Sequence, residues 1–137
     1  MVETPAALWQ VVDDLALLPD WESRYGYVIE LAREVPPMPE ALKTETNLVR
    51  GCTAQVWLVA EWVDDVLHLQ VASDALLVQG LLAVVRAAFE GQRRDVVQGL
   101  DLLAVLAPTG LLTHLSPNRR NGLASVVGRI KGLAGEV

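Results

Sequence analysis

Leu8, Val11, Val12, Leu15 and Leu18 recur with the period of a helix, with Gln10, Asp13 and Asp14 between them. Thr4 stands as a cap before Pro5 at the first helical position, and Pro19 closes the segment. Asp20 caps a second periodic stretch whose apolar set is Trp21, Tyr25, Val28, Ile29 and Ala32. Three prolines in "PPMPEALKTET" then break the pattern, which predicts a loop with one helical turn.

From Asn47 the period changes. Val56, Leu58, Ala60 and Trp62 alternate with Gln55, Trp57, Val59 and Glu61 in a run rich in β-branched and aromatic residues, which predicts a strand. Asp64 and Asp65 form a turn, and Leu67, Leu69 and Val71 repeat the alternation, so the two runs make an antiparallel hairpin. The "NLV" before the only cysteine is placed to pair as a short third strand. Residues 74–90 are apolar nearly all round, as a central helix should be, with Ser73 or Asp74 as its cap. Short helical pieces follow near 93–98 and 101–107. Ser116, Pro117 and then Leu123, Val126, Val127 and Ile130 predict a terminal helix with a basic outer face. The fold class is α+β, helices packed on a small antiparallel sheet of two to three strands.

With 137 residues, 52% of them hydrophobic, the chain suits one compact core. Its net charge of −6 repels nucleic-acid phosphates and anionic membrane surfaces, so neither is an expected partner. The charge is uneven: residues 1–65 hold 12 acids and 4 bases, residues 66–137 hold 5 acids and 7 bases. An anionic partner surface would therefore meet the C-terminal part. The most apolar window, 75–89, is shorter than the ~20 residues a bilayer requires and contains Gln79 and Arg86. The stretch "MVETPAALWQ" has no basic region followed by an apolar one, and a single cysteine forms no internal disulfide, so a cytoplasmic location is expected.

Cys52 is the sharpest chemical candidate. Gly51 lets the backbone turn tightly beside it, and Arg50 supplies a positive charge that would favour the thiolate. The plain alternative is a buried cysteine serving as a small hydrophobe. His68, mid-strand, and His114, in a loop, read as ordinary residues rather than bases. One cysteine and two separated histidines match no zinc spacing, and one chain-borne thiolate does not hold an iron–sulfur cluster, so no metal is expected. The pairs Asp13/Asp14 and Asp64/Asp65 read better as a solvated helix face and a turn than as acid–base couples.

Four segments together resemble the SufE family: "RYGYVIELAREVPPMP" (24–39), "NLVRGCTAQVWLV" (47–59), "SDALLVQGLLAVV" (73–85) and "LLTHLSPNRRNGL" (111–123). The resemblance runs from about Trp21 to the last helix, with Gly51, Cys52, Gln55, Val56 and Trp57 as its core. It implies a single SufE/IscU-like domain over residues 1–137. It also implies that Cys52 accepts sulfur as a persulfide from a cysteine desulfurase, stimulates that enzyme, and passes the sulfur to an iron–sulfur scaffold. The partners so implied are SufS-like and SufB-like. Pyridoxal phosphate belongs to the desulfurase, so this chain needs no cofactor and is a sulfur-transfer partner rather than a free-standing enzyme. Arg119 and Asp74, with Gly51 and Arg50, carry over as partner-binding positions; a homodimer is compatible with the sequence. Thr53, Ala54 and Ala32 depart from the residues common in the family, Gln-Ser after the cysteine and a glycine in the second helix. Two other roles fit the same resemblance: a desulfurase-binding regulator that carries no sulfur, and a carrier for another sulfur-transfer pathway, such as those of molybdenum cofactor or thiolated nucleosides.

A carrier must shield its persulfide yet present it to two partners. Cys52 is accordingly expected to rest inward, against Val56, Leu58 and the helix at 75–89, and to move outward when a partner binds that state more tightly. The basic face of Arg119, Arg120, Arg129 and Lys131 is expected to steer that partner.

Overall fold

The computed structural model describes residues 4–134; residues 135–137, the end of the stretch read as a terminal helix, lie outside them. Two helices open the chain, α1 (Ala6–Leu17) and α2 (Trp21–Ala32). A hairpin of β1 (Val56–Val63) and β2 (Val66–Ser73) follows, then α3 (Leu76–Phe89), the short α4 (Arg94–Gly99) and α5 (Leu102–Leu106), and α6 (Pro117–Ala134). Single 3-10 turns occupy Glu40–Leu42, Ala107–Thr109 and Leu112–His114.

The chain folds around α3. Its residues Leu77, Gly80, Leu81, Leu82, Val84, Val85, Ala88 and Phe89 are buried, and Leu76, Gln79, Ala83 and Arg86 make a narrower stripe that stays exposed or half-exposed. α1, α2, β2 and α6 all pack against it. The closest approach is at Gly80, where a Cβ would lie 2.2 Å from the Val28 carbonyl oxygen of α2. Only a residue without a side chain allows that crossing.

The hairpin register pairs Val56 with Ser73 and Val63 with Val66. Asp64 and Asp65 both adopt left-handed backbone (φ 51° and 63°), the conformation of a two-residue turn whose twist matches the strands. Asp tolerates that region better than most side chains, which explains the dipeptide without acid–base work. Val56, Leu58, Leu67, Leu69 and Val71 face the helices, as their alternation predicts. The third strand shrinks to one bridge, Leu48 to Trp57, with Val49 N–H donating to the Val56 carbonyl (2.8 Å) and Leu58 N–H to that of Asn47 (2.9 Å). On the opposite edge Leu67 exchanges main-chain bonds with Gly91 and Gln92. The sheet therefore has two strands, and both edges are partly covered.

Three expectations shift. Pro5, not Thr4, is the cap of α1, because its extended backbone (ψ 143°) holds it outside the helix while its carbonyl accepts from Leu8 and Trp9. α3 is capped by Ala75 with no side-chain bond, and Asp74 is engaged elsewhere. Tyr25 is 39% exposed instead of buried, packing edge-on against Trp21, whose other contact is a stacked His114 with ring centroids 4.8 Å apart.

Gly80→Ala should lower the melting temperature, since overpacking against an immovable carbonyl costs roughly 1–3 kcal/mol, more than the ~1 kcal/mol that alanine gains in helix propensity. Gly128→Ala, in α6 with nothing within 4 Å of the added carbon, should instead stabilise the protein by roughly 0.5–1 kcal/mol. Denaturant melts of both variants check the sign of each change.

Candidate functional site

Cys52 sits at the tip of a six-residue loop, 50–55, whose ends are closed by the bond from Val49 N–H to the Val56 carbonyl. The loop begins at Gly51, with φ at +90°, a backbone that disfavours any L side chain. A Cβ there would also lie 2.7 Å from the Ser125 hydroxyl of α6, so the glycine is required twice over. At the far end Asp74 Oδ1 accepts from Gln55 N–H at 3.1 Å, tying the exit of β2 to the start of β1. Beneath the loop Arg129 donates to the carbonyls of Leu48 (2.9 Å) and Thr46 (3.1 Å).

The thiol itself turns toward α6. Its Sγ donates to the Gly122 carbonyl at 3.6 Å, and the side chain is half-buried. Beside it lies an apolar cavity of about 30 Å³, floored by Val78, Leu81 and Leu82 of α3 and walled by Leu123 and Val126 of α6. A water needs about 10–15 Å³ on this measure, so there is room for one additional atom of sulfur's size. Val56 lines the cavity as expected, whereas Leu58 points into the general core. Arg119 is the one charged side chain on the cavity wall.

Burial pushes the Cys52 thiol above its ordinary value. The expected activation by Arg50 does not occur in this conformation: that guanidinium turns to Glu45 at 3.4 Å, with both side chains largely exposed. The resting form is therefore the protonated, poorly nucleophilic thiol.

The other candidates separate cleanly. Arg119 lies in the first turn of α6, where its N–H donates to the Ser116 cap (3.3 Å), and its side chain has no partner among the described residues. The expected basic face is smaller than its charge count. Arg129 binds the loop carbonyls, and Lys131 donates to those of Val97 and Gln98 at the end of α4, which leaves Arg119 and Arg120 as the exposed charges. His68 meets Glu90 at 3.1 Å on the outer face of β2. Asp14 accepts from Tyr27 and Gln10. Among the described residues no group of three or more His, Cys, Asp and Glu side chains is arranged to hold a metal ion, and no helix is long and apolar enough to cross a membrane.

Two residues that meet the loop were missed from sequence, Gly122 and Ser125, while Arg129, read there as part of a steering basic face, instead binds the carbonyls of Thr46 and Leu48. Their spacing of three and four places Gly122, Ser125 and Arg129 on one face of α6, beside the apolar stripe rather than within it. That second periodicity was available, but its meaning depends on a loop 70 residues earlier in the chain.

Comparison with known proteins places this arrangement. The solution structure of a hypothetical protein from Thermus thermophilus has the same fold, with a TM-score of 0.80 at 23% identity over 96% of each chain. Residues 9–134 match the SufE family, described as an Fe–S metabolism associated domain. An uncharacterized SufE-like protein of Rhizobium meliloti is 45% identical over 132 residues, 93% of this chain and 94% of that protein. A second, from Rhizobium etli, is 41% identical over 130 residues, 92% of this chain and 88% of its own. The chain belongs to the SufE family.

Because the folded protein holds the Cys52 proton more tightly than the unfolded chain, its contribution to stability is complete below the ordinary thiol value of about 8.5 and is lost as pH rises toward the folded value. Stability measured through that alkaline range should fall more steeply for the parent than for Cys52→Ala.

Proposed function

We propose that this protein is a sulfur carrier, which accepts sulfane sulfur on Cys52 from a SufS-like cysteine desulfurase and delivers it to a SufB-like iron–sulfur scaffold. One observation carries the reading: the single thiol of the chain lies on a glycine-hinged loop beside an apolar cavity with space for one more atom. A structural cysteine would fill its pocket, whereas a carrier needs space left over.

The transfer balances as thiol exchange. The Cys52 thiolate attacks the terminal sulfur of the desulfurase persulfide; the new S–S bond forms on Cys52 as the bond to the desulfurase cysteine breaks, and that cysteine leaves as a thiolate. No external oxidant or reductant is consumed. Because the resting thiol is protonated and inward, docking has to favour an outward loop in which the proton is lost. A histidine base in the acceptor is unnecessary if deprotonation happens at the interface. Arg119 and Asp74 flank the loop from α6 and from the exit of β2, where a partner meets them together with Cys52. The cycle requires a reduced thiol, in keeping with the cytoplasm.

Two outcomes test this reading. Cys52→Ser should fold normally and lose all stimulation of desulfurase turnover; stimulation equal to that of the parent would make the protein a regulator instead. Arg119→Glu should weaken desulfurase binding more at 10 mM salt, where the Debye length is about 30 Å, than at 150 mM, where it is about 8 Å. Unchanged binding at both concentrations would remove Arg119 from the docking surface.

A further inference from the structure

We infer that Gly122 and Ser125 are positioning residues that hold Cys52 in its stored state, so that the size of the side chain at each sets how often the thiol is presented. This rests on the carrier reading for its biological purpose, but its physical content concerns the free protein.

Three contacts between the loop and α6 converge on that helix face. A Cβ on Gly122 would lie 3.4 Å from Cys52 Sγ and 3.8 Å from its Cα and Cβ, so the cysteine lies directly on the helix backbone. The Gly51 Cα approaches Ser125 so closely that its missing side chain is what permits the contact. Arg129 anchors the strand entering the loop through the carbonyls of Thr46 and Leu48. Fixed at its base by Arg129 and at Gln55 by Asp74, the loop has one free part, the tip carrying Cys52, whose backbone meets α6 at Gly122 and Ser125.

The seat also distinguishes protonation states. The Gly122 carbonyl accepts a hydrogen bond from the thiol, and a thiolate, having no proton to give, would face the oxygen lone pairs in an apolar surrounding. Arg119 is the only charged side chain on the cavity and stands at its rim, one turn before Gly122. A partner that engages Arg119 therefore acts on the same helical turn that retains the sulfur. Stored thiol and released thiolate become two positions of one loop.

Graded substitution tests this in the free protein. The alkylation rate of Cys52 by iodoacetamide should stay near the parent's in Gly122→Ala, whose added carbon makes an ordinary contact with Sγ, and rise at least tenfold in Gly122→Val, which leaves no room for it. Gly51→Ala should also accelerate alkylation, and adding Ser125→Ala should restore part of the slow rate, because that change removes the hydroxyl at 2.7 Å and leaves Ser125 Cβ at 3.5 Å. The pH midpoint of alkylation should fall toward that of a free thiol in Gly122→Val, a readout that general loosening elsewhere would not move. Circular-dichroism melts confirm that each variant is folded at the assay temperature. Equal rates across the folded variants, or no rescue by Ser125→Ala, would overturn the assignment. Sulfur loading of the parent by a desulfurase is measured separately: graded alkylation without loading would sink the carrier reading and leave the seat intact.

Discussion

One largely buried helix dictates most of this structure. α3 is apolar over most of its circumference, and burying that surface requires covers, supplied by α1, α2, the hairpin and α6. Apolar surface of α3 left open to water would cost roughly 25 cal/mol per Å². The cover leaves a small gap beside Cys52. Between the start of β1 and the first turns of α6, Val78, Leu81 and Leu82 remain as the floor of a small cavity, and the loop carrying Cys52 closes over it. The same apolar surface that organises the core thus lines the cavity beside which the Cys52 sulfur lies.

Shelter and reactivity oppose each other here. Burial and the Gly122 carbonyl both favour the neutral thiol, so the resting protein is chemically quiet. A carrier gains from that quietness, since oxidation follows thiolate character and exposure. Arg50, the nearest charge in sequence, is turned to Glu45 and not to the sulfur. On the proposed carrier reading, activation is left to the docked state.

The elements were legible in the sequence because their signals are local. Alternation placed both strands, and Asp20 and Ser116 cap α2 and α6 as their positions before the apolar runs indicate. At Asp74 and Arg129 the reading slipped because a distant partner had intervened. Asp74 looks like a helix cap but is taken by Gln55, 19 residues away, and Arg129 looks like a surface charge but clamps a loop 81 residues earlier. Cys52 was legible as a candidate from its isolation and from the motif around it. Its seat was not, because Gly122 and Ser125 are small residues in a helix, and nothing in their own neighbourhood says what lies on them. Helical spacing reveals which residues share a face; only the fold reveals what that face meets.

The most direct measurement of the central claim is the intact mass of the protein after incubation with a cysteine desulfurase and cysteine, followed by peptide mapping. The account predicts a gain of one sulfur, ~32 Da, located on Cys52 and removed by a reducing thiol. An unchanged mass, under conditions where the desulfurase itself carries a persulfide and binds the protein, would contradict it.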